Sequence, residues 1–354
     1  RDELAEVVAE AHPDCRVNRP VRKGRLFLSG RVILDKPVSP KGPESVLMCG
    51  DEVVGFRVCA ECAVKMSSLA GLRADLAVEQ VKGKVVKWPW DLVEFNADEL
   101  RREVSSSRDK GLSKAGKGRN ADKLARGVAV VGSRKKLTLR RGARVWPGVV
   151  LSTETGPIEI DEGAEVRPGS FVEGPCYVGP GTIIDGAKTR PGCSFGPQCR
   201  VGGEVEASVF QGYSNKHHDG FIGHCFVGEW VNLGAMTANS DLKNSYQPVK
   251  VKVHGKDTDT GLTKVGCFFG DHVKTAIGSL FNTGAVVGTF ANWFEPGLSP
   301  KAIAPFSWGS KARWSGSDMV ANARLVMARR GVEMTPAYER LLKSALSRAR
   351  RQRR

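Results

Sequence analysis

The chain has 354 residues, 41% of them hydrophobic, with 41 glycines and a formal charge of +16. That length supports two or three domains, each able to bury a core, and the glycine count points to many tight turns. No apolar run approaches the roughly 18 residues of a membrane helix and no charged-then-apolar leader precedes a cleavage site, so the expectation is a soluble, cytoplasmic protein without a membrane partner.

The first residue is Arg1 rather than Met, and Asp2 to Ala11 has helical spacing at once, which suggests a truncated N-terminus. From Leu26 to about Val58, short apolar runs alternate with Pro/Gly punctuation, the pattern of strands joined by turns. Cys59 and Cys62 form a lone pair without a second pair or a His at ligand spacing, so neither a metal site nor a disulfide framework is expected. Ala60 to Leu76 reads as a helix. After Trp88-Pro89-Trp90-Asp91-Leu92-Val93, Asn96 is placed to cap a short helix. Ser105 to Lys123 then has the Ser/Gly/Lys content of a linker.

The positive charge is local. Residues 101–144 hold fifteen Lys/Arg against Glu103, Asp109 and Asp122, and residues 340–354 hold seven with no acid. The remainder is weakly acidic. Runs of this kind are usually solvated segments, and nucleic acid is not the expected partner.

Beyond the linker the period changes. Ile160, Val166, Val172, Val178 and Ile184 are each six residues apart, and four positions after each stands Ala164, Ser170, Cys176, Thr182 or Lys188. Six fits neither a helix nor a two-sided strand. It fits a chain that makes one side of a triangle every six residues, with an aliphatic residue inside and a small one beside each corner. Cys199 and Cys225, four places after Phe195 and Phe221, extend the small position. The period returns at Phe221, Val227 and Leu233, and again at Val265-Gly266, Ile277-Gly278 and Val287-Gly288. Met236 to Lys264 is polar and out of phase, as functional loops on such scaffolds are. Asp318 to Arg330 and Pro336 to Arg354 have helical spacing, the second with an apolar stripe suited to capping the last coil.

Three histidines fall within Ser214-Asn215-Lys216-His217-His218-Asp219-Gly220-Phe221-Ile222-Gly223-His224. Their spacing matches no metal-ligand signature, and no metal is expected. This run, with Gly234-Ala235-Met236-Thr237 and Asn239, resembles the acetyltransferase half of the bifunctional N-acetylglucosamine-1-phosphate uridyltransferase/glucosamine-1-phosphate acetyltransferase family. Gly212-Tyr213-Ser214-Asn215-Lys216, Gly228-Glu229-Trp230, Asn239-Ser240-Asp241-Leu242-Lys243-Asn244, Gly270-Asp271-His272 and Trp88-Pro89-Trp90-Asp91-Leu92 are similar to a divergent sugar nucleotidyltransferase branch of that group.

The resemblance implies a left-handed parallel β-helix over 128–309. It also implies a partial α/β nucleotidyltransferase-like domain over 1–104, a basic linker over 105–127 and basic helices over 310–354. The implied activity is transfer of an acetyl group from acetyl-CoA to an amino-sugar 1-phosphate by a homotrimer. His218, five residues before Gly223, would be the general base, since an imidazole accepts a proton at neutral pH. A backbone N–H near Ala235 would hold the oxyanion. Arg190 would bind the phosphate, Asn232 and Asn239 the sugar, and Ala276 and Ser279 the acyl-CoA. The sequence departs from the family at Ala207-Ser208-Val209, which lacks a second phosphate-binding cation whose place Lys216 would take, and at Phe221, which replaces a Tyr. The alternatives are a sugar-1-phosphate nucleotidyltransferase whose β-helix only assembles subunits, with Mg2+ held by residues upstream of Arg1, and a non-enzymatic scaffold. No Gly-rich triphosphate loop occurs before residue 150.

Overall fold

The computed structural model describes residues 2–15, 17, 26–58, 76–110, 119–120 and 124–351. They form two compact units, Arg1–Asp91 and Leu92–Arg354. The Cys59/Cys62 pair and the helix expected over Ala60 to Leu76 lie outside the described residues, Leu76 apart. Among the described residues no helix is long and apolar enough to cross a membrane.

The first unit opens with the helix Asp2–Ala11. Its four-stranded mixed sheet runs in the order Leu26–Leu28, Glu52–Arg57, Ser45–Cys49, Ala77–Gln80. Val46, Met48 and Phe56 form its core. Buried Arg57 is satisfied by Ser45 Oγ at 2.9 Å and by the Glu79 carboxylate, with Nη2 to Oε1 at 2.9 Å. The unit boundary falls in the first turn of the helix Pro89–Lys110. That helix starts seven residues before Asn96. Pro89 sits where its missing N–H is no loss, and Asp91 Oδ2 accepts from the Lys87 and Trp88 N–H groups at 2.7 and 2.8 Å. Asn96 is therefore no cap. It lies within the helix and grips the β-helix, donating from Nδ2 to Gly192 O and accepting from Ser194 Oγ, each at 2.8 Å.

The second unit is a parallel β-helix with three sheets, one per side of the coil. The first sheet stacks nine parallel strands from Leu137–Leu139 to Ala302–Ile303. Its register is Ile160 on Val178 on Phe195. The second aligns Val172, Thr189, Val205 and Ile222. The third aligns Val166, Ile184, Val201 and Lys216. Residues six apart thus occupy successive sides, and residues one coil apart stack. Ile160, Val166, Val172, Val178 and Ile184 are all fully buried, and burial of each such side chain contributes about 1.5–3 kcal/mol. At both ends the chain reverses. Arg119–Asn120 pairs antiparallel with Leu139 and Thr138, and Ala312–Arg313 pairs antiparallel with Ser307–Trp308.

The small positions are buried at Ala164, Ser170, Cys176, Thr182, Cys199 and Cys225. Lys188 breaks the pattern: Thr189 follows Ile184 after five residues, so Ala187 takes the small position and Lys188 is exposed. Two further expectations shift. Ile222 points inward in place of Phe221, and Ile277 stands on a corner, 80% exposed. The coil also persists to the strand Ala238–Asn239, so the long excursion leaves only at Ser240 and folds into the hairpin Lys250–Val253/Lys256–Asp259.

One corner needs a left-handed residue on each coil. Gly163, Gly181, Gln198, Tyr213, Trp230, His272, Phe290 and Phe306 fill it in turn, with φ between 54° and 65°. For a non-glycine residue this conformation costs about 1–2 kcal/mol. From Tyr213 onward the side chains stack: Tyr213 on Trp230 at 4.2 Å and His272 on Phe290 at 4.5 Å. Such stacking contributes about 0.5–1.5 kcal/mol per pair beyond area burial. The helices Gly316–Ala328 and Pro336–Arg351 cover this ladder with Met319, Ala323, Met327, Leu342 and Leu346. Ser315 caps the first of them, accepting from Asp318 N at 3.1 Å.

Candidate active site

A second corner carries the histidines. After the strand Asn215–Lys216 the chain turns through His217 to Gly220 and enters the strand Phe221–Gly223. One coil further on, Gly234 to Thr237 make the corresponding turn, and beyond them Ala276 to Ser279. Met236 N donates to Asp219 O and Gly278 N to Ala235 O, both at 2.7 Å. A Cβ on Gly220 would lie 2.2 Å from Thr237 O, so the first two turns touch backbone to backbone. His218, Ala235, Ala276 and Ser279 therefore share one corner on three successive coils.

The His218 side chain is exposed, with its ring 5.5 Å from that of His217. His217 Nε2 lies 3.0 Å from Asp185 Oδ2, and that bond, with Arg167 beside it, holds the Asp185 carboxyl below its usual range. Ala235 N–H has no hydrogen-bond partner among the described residues. Above the turn the corner is apolar and open: Met236 is 58% exposed, Ile277 80% and Leu298 61%.

Four expected site residues stand differently. Lys216 faces inward, 1% exposed, with Nζ donating to Gly202 O at 3.0 Å and His218 O at 2.5 Å. Its ammonium is thus engaged inside the coil, because strand alternation turns Asn215 out and Lys216 in. Asn239 is also inward. Its Oδ1 accepts from Gly223 N at 2.9 Å, and its Nδ2 donates to Gly223 O at 3.0 Å and Ser240 O at 3.1 Å, so its amide closes the coil where the excursion begins. Ser279 is buried and donates to Ala276 O at 2.9 Å, which leaves its hydroxyl inside the corner. Arg190 lies at the next corner, its Nε 2.6 Å from Glu204 Oε1 and 4.0 Å from Glu206. The Glu204 bond raises the guanidinium's pKa further. Asn232 is exposed, and its Oδ1 accepts from Asn215 Nδ2 at 3.0 Å.

One pair was not foreseen. His224 Nδ1 lies 2.8 Å from Asp241 Oδ2, and both side chains are largely buried. Burial would raise the Asp241 carboxyl, but the His224 bond together with Lys264 leaves it below its usual value. The signal was present as a separation of 17 residues, close to one coil, which sets one residue above the other. Among the described residues no group of three or more His, Cys, Asp and Glu is arranged to hold a metal ion.

No family model matches the chain. It is 36% identical over 88 residues to a bifunctional sugar-1-phosphate nucleotidylyltransferase/acetyltransferase of Sulfurisphaera tokodaii, covering 25% of this chain and 22% of that protein. The homology is distant and partial. The bifunctional protein GlmU of Methanocaldococcus jannaschii is 34% identical over 86 residues, 24% of this chain and 21% of its own length. That of Rippkaea orientalis is 29% identical over 136 residues, 37% and 28%. The chain thus spans between 21% and 28% of these relatives, and the likeness is to a transferase group with an acyltransferase-like repeat region. The solved structure of an Arabidopsis UDP-N-acetylglucosamine acyltransferase aligns with 59% of this chain and 77% of its own at 11% identity and a TM-score of 0.25, too low to bear on function.

Proposed function

We propose that this protein transfers an acetyl group from acetyl-CoA to the amine of an amino-sugar 1-phosphate, with His218 as general base. The observation that carries the reading is the shared corner. An exposed imidazole and an unpaired backbone N–H, that of Ala235, sit on adjacent turns joined by the Met236–Asp219 hydrogen bond. That is the pair of groups acyl transfer requires. His218 takes the proton as the amine adds to the thioester carbonyl, and Ala235 N–H donates to the resulting oxyanion. The imidazolium then returns the proton to the departing thiolate as the carbon–sulfur bond breaks.

Ala276, one coil above Ala235, and the Ile277 beside it continue this corner as an apolar wall for the acyl-CoA chain. Ser279 supports that wall from within, as its bond to Ala276 O suggests. The open apolar side chains Met236, Ile277 and Leu298 fit a neighbouring subunit in a homotrimer. Arg190 does not share the His218 corner within one chain. As the phosphate ligand it would act across that subunit boundary and exchange Glu204 for phosphate. Asn232 would contact the sugar, with Asn239 holding the turn rather than the ligand. The acyl-CoA donor implies a cytoplasmic reaction.

The test is release of CoA thiol from acetyl-CoA with glucosamine-1-phosphate. His218→Ala is expected to lose about 10²–10⁴-fold in kcat, and equal activity in the variant sinks the assignment. The relatives' nucleotidylyltransferase function supplies the second reading, sugar-1-phosphate nucleotidyl transfer with the β-helix as assembly domain. Pyrophosphate release unchanged in His218→Ala would select it.

A further inference from the structure

The His218 turn overhangs an unusually short corner. On the coil below, Val201 and Val205 are both inward and only four residues apart, whereas Lys216 and Ile222 above them are six apart. The short corner is Gly202-Gly203, and neither position tolerates a side chain. A Cβ on Gly202 would lie 2.0 Å from His217 O, and one on Gly203 2.6 Å from Lys216 Nζ and 2.9 Å from Asp219 Cα. The wider turn consequently rests on two glycines, and the space its extra residues leave is filled from inside by the Lys216 ammonium.

A buried ammonium must be hydrogen-bonded to be tolerated. Lys216 meets that demand with one carbonyl from each coil, Gly202 O at 3.0 Å and His218 O at 2.5 Å. The second of these belongs to the residue whose imidazole faces outward at the corner. We propose that Lys216 is a positioning residue of the acyl-transfer site: its buried ammonium clamps the His218 carbonyl to the coil beneath and thereby fixes the direction of the His218 ring.

This rests on the reading of His218 as the base. The clamp is a charge-assisted bond, stronger than a neutral one, and it weakens when the ammonium loses its proton. Burial lowers the Lys216 pKa to about 8, against the opposing charge of Asp219 on the same turn. The other titratable or charged side chains at this corner, His217, Asp185 and Arg167, are engaged with one another on the outer side. The turn is therefore expected to loosen as pH rises through about 8.

The experiment combines kinetics with a readout that needs no activity. Lys216→Met keeps the chain's length and removes its charge. With acetyl-CoA and glucosamine-1-phosphate it is expected to lose about ten-fold or more in kcat, since small misplacements of a catalytic group are costly. KM values should stay within about two-fold and the far-UV circular dichroism unchanged. In parallel, 13C-labelled His218, assigned by its loss in His218→Ala, is titrated by NMR. The wild-type ring signal should show an inflection near pH 8 that Lys216→Met abolishes. An unchanged kcat in Lys216→Met, or a wild-type His218 signal without that inflection, overturns the proposal; the second result holds even if the variant does not fold. Absence of thiol release in the wild type, with the inflection present there and lost in the variant, sinks the acyl-transfer reading and leaves the clamp standing.

Discussion

Acid should loosen the aromatic ladder under the C-terminal helices, and His272 makes the effect calculable. Its ring is fully buried, stacked on Phe290, with Nε2 2.9 Å from the Tyr338 hydroxyl. Burial, helped by the charge of Lys274, lowers its pKa from 6.5 to about 3. The unfolded chain therefore takes up a proton near pH 6.5 while the folded protein does not until about pH 3. A depressed folded pKa means stability that is complete above 6.5 and is lost as pH falls toward 3. Each unit is worth about 1.4 kcal/mol, so the fall from 6.5 to pH 5 removes about 2 kcal/mol. Glu229 and Asp271 act oppositely. Burial raises both carboxyls, so they gain protons more readily when folded. A comparison with His272→Phe, which keeps an aromatic ring on Phe290, isolates the imidazole. Urea unfolding followed by the fluorescence of Trp230 and Trp314, both in this cluster, should show the wild type losing about 2 kcal/mol more than the variant between pH 7 and pH 5. Equal losses in the two proteins would refute the reasoning.

Asn239→Ala removes the amide that joins Gly223 to Ser240. It should cost about 1–3 kcal/mol and expose the 240–264 excursion to limited proteolysis, and an unchanged cleavage pattern would count against that role. The thiols of Cys176, Cys193, Cys199 and Cys225 are fully buried and pushed up by burial, Cys193 to about 12 and Cys199 to about 11. Ellman's reagent at pH 8 should leave them unreacted until denaturant is added, whereas exposed Cys15 should react at once. Ile277→Asp places a charge on the open corner, and sedimentation should then report a smaller assembly than the wild type; the same mass in both would remove that corner from the subunit interface.

The repeat was legible because the inward positions of a β-helix carry nearly all its burial. Ile160 to Ile184 at intervals of six left no other fold that hides every one of them. What escaped were departures in corner length. Ile184 to Thr189, Val201 to Val205 and Val205 to Phe210 each fall short of the ideal six, and a fixed period drifts out of register by the time it reaches Lys216. Charge gave no guide there, since the direction of a lysine follows only once its strand parity is known. The inward direction of Asn239 depends on parity in the same way. His218 and Ala235 were named from the resemblance, and both lie in turns, where strand parity does not enter. The His224–Asp241 pair depends on stacking across a coil, which becomes visible only when the register is set.

The two chain reversals bear on the edges of the coil stack. A parallel stack of coils is in principle endless, since its last strand offers the same unpaired edge as the first, and such edges recruit further copies. Here the sheet ending at Arg119–Asn120 and the sheet ending at Ala312–Arg313 each close with a strand running the other way. At those two edges an incoming parallel strand would meet a neighbour running the other way, while the stack's remaining sheet edges keep the parallel direction. The coil stack thus carries one antiparallel edge strand at each end, both formed by the chain itself.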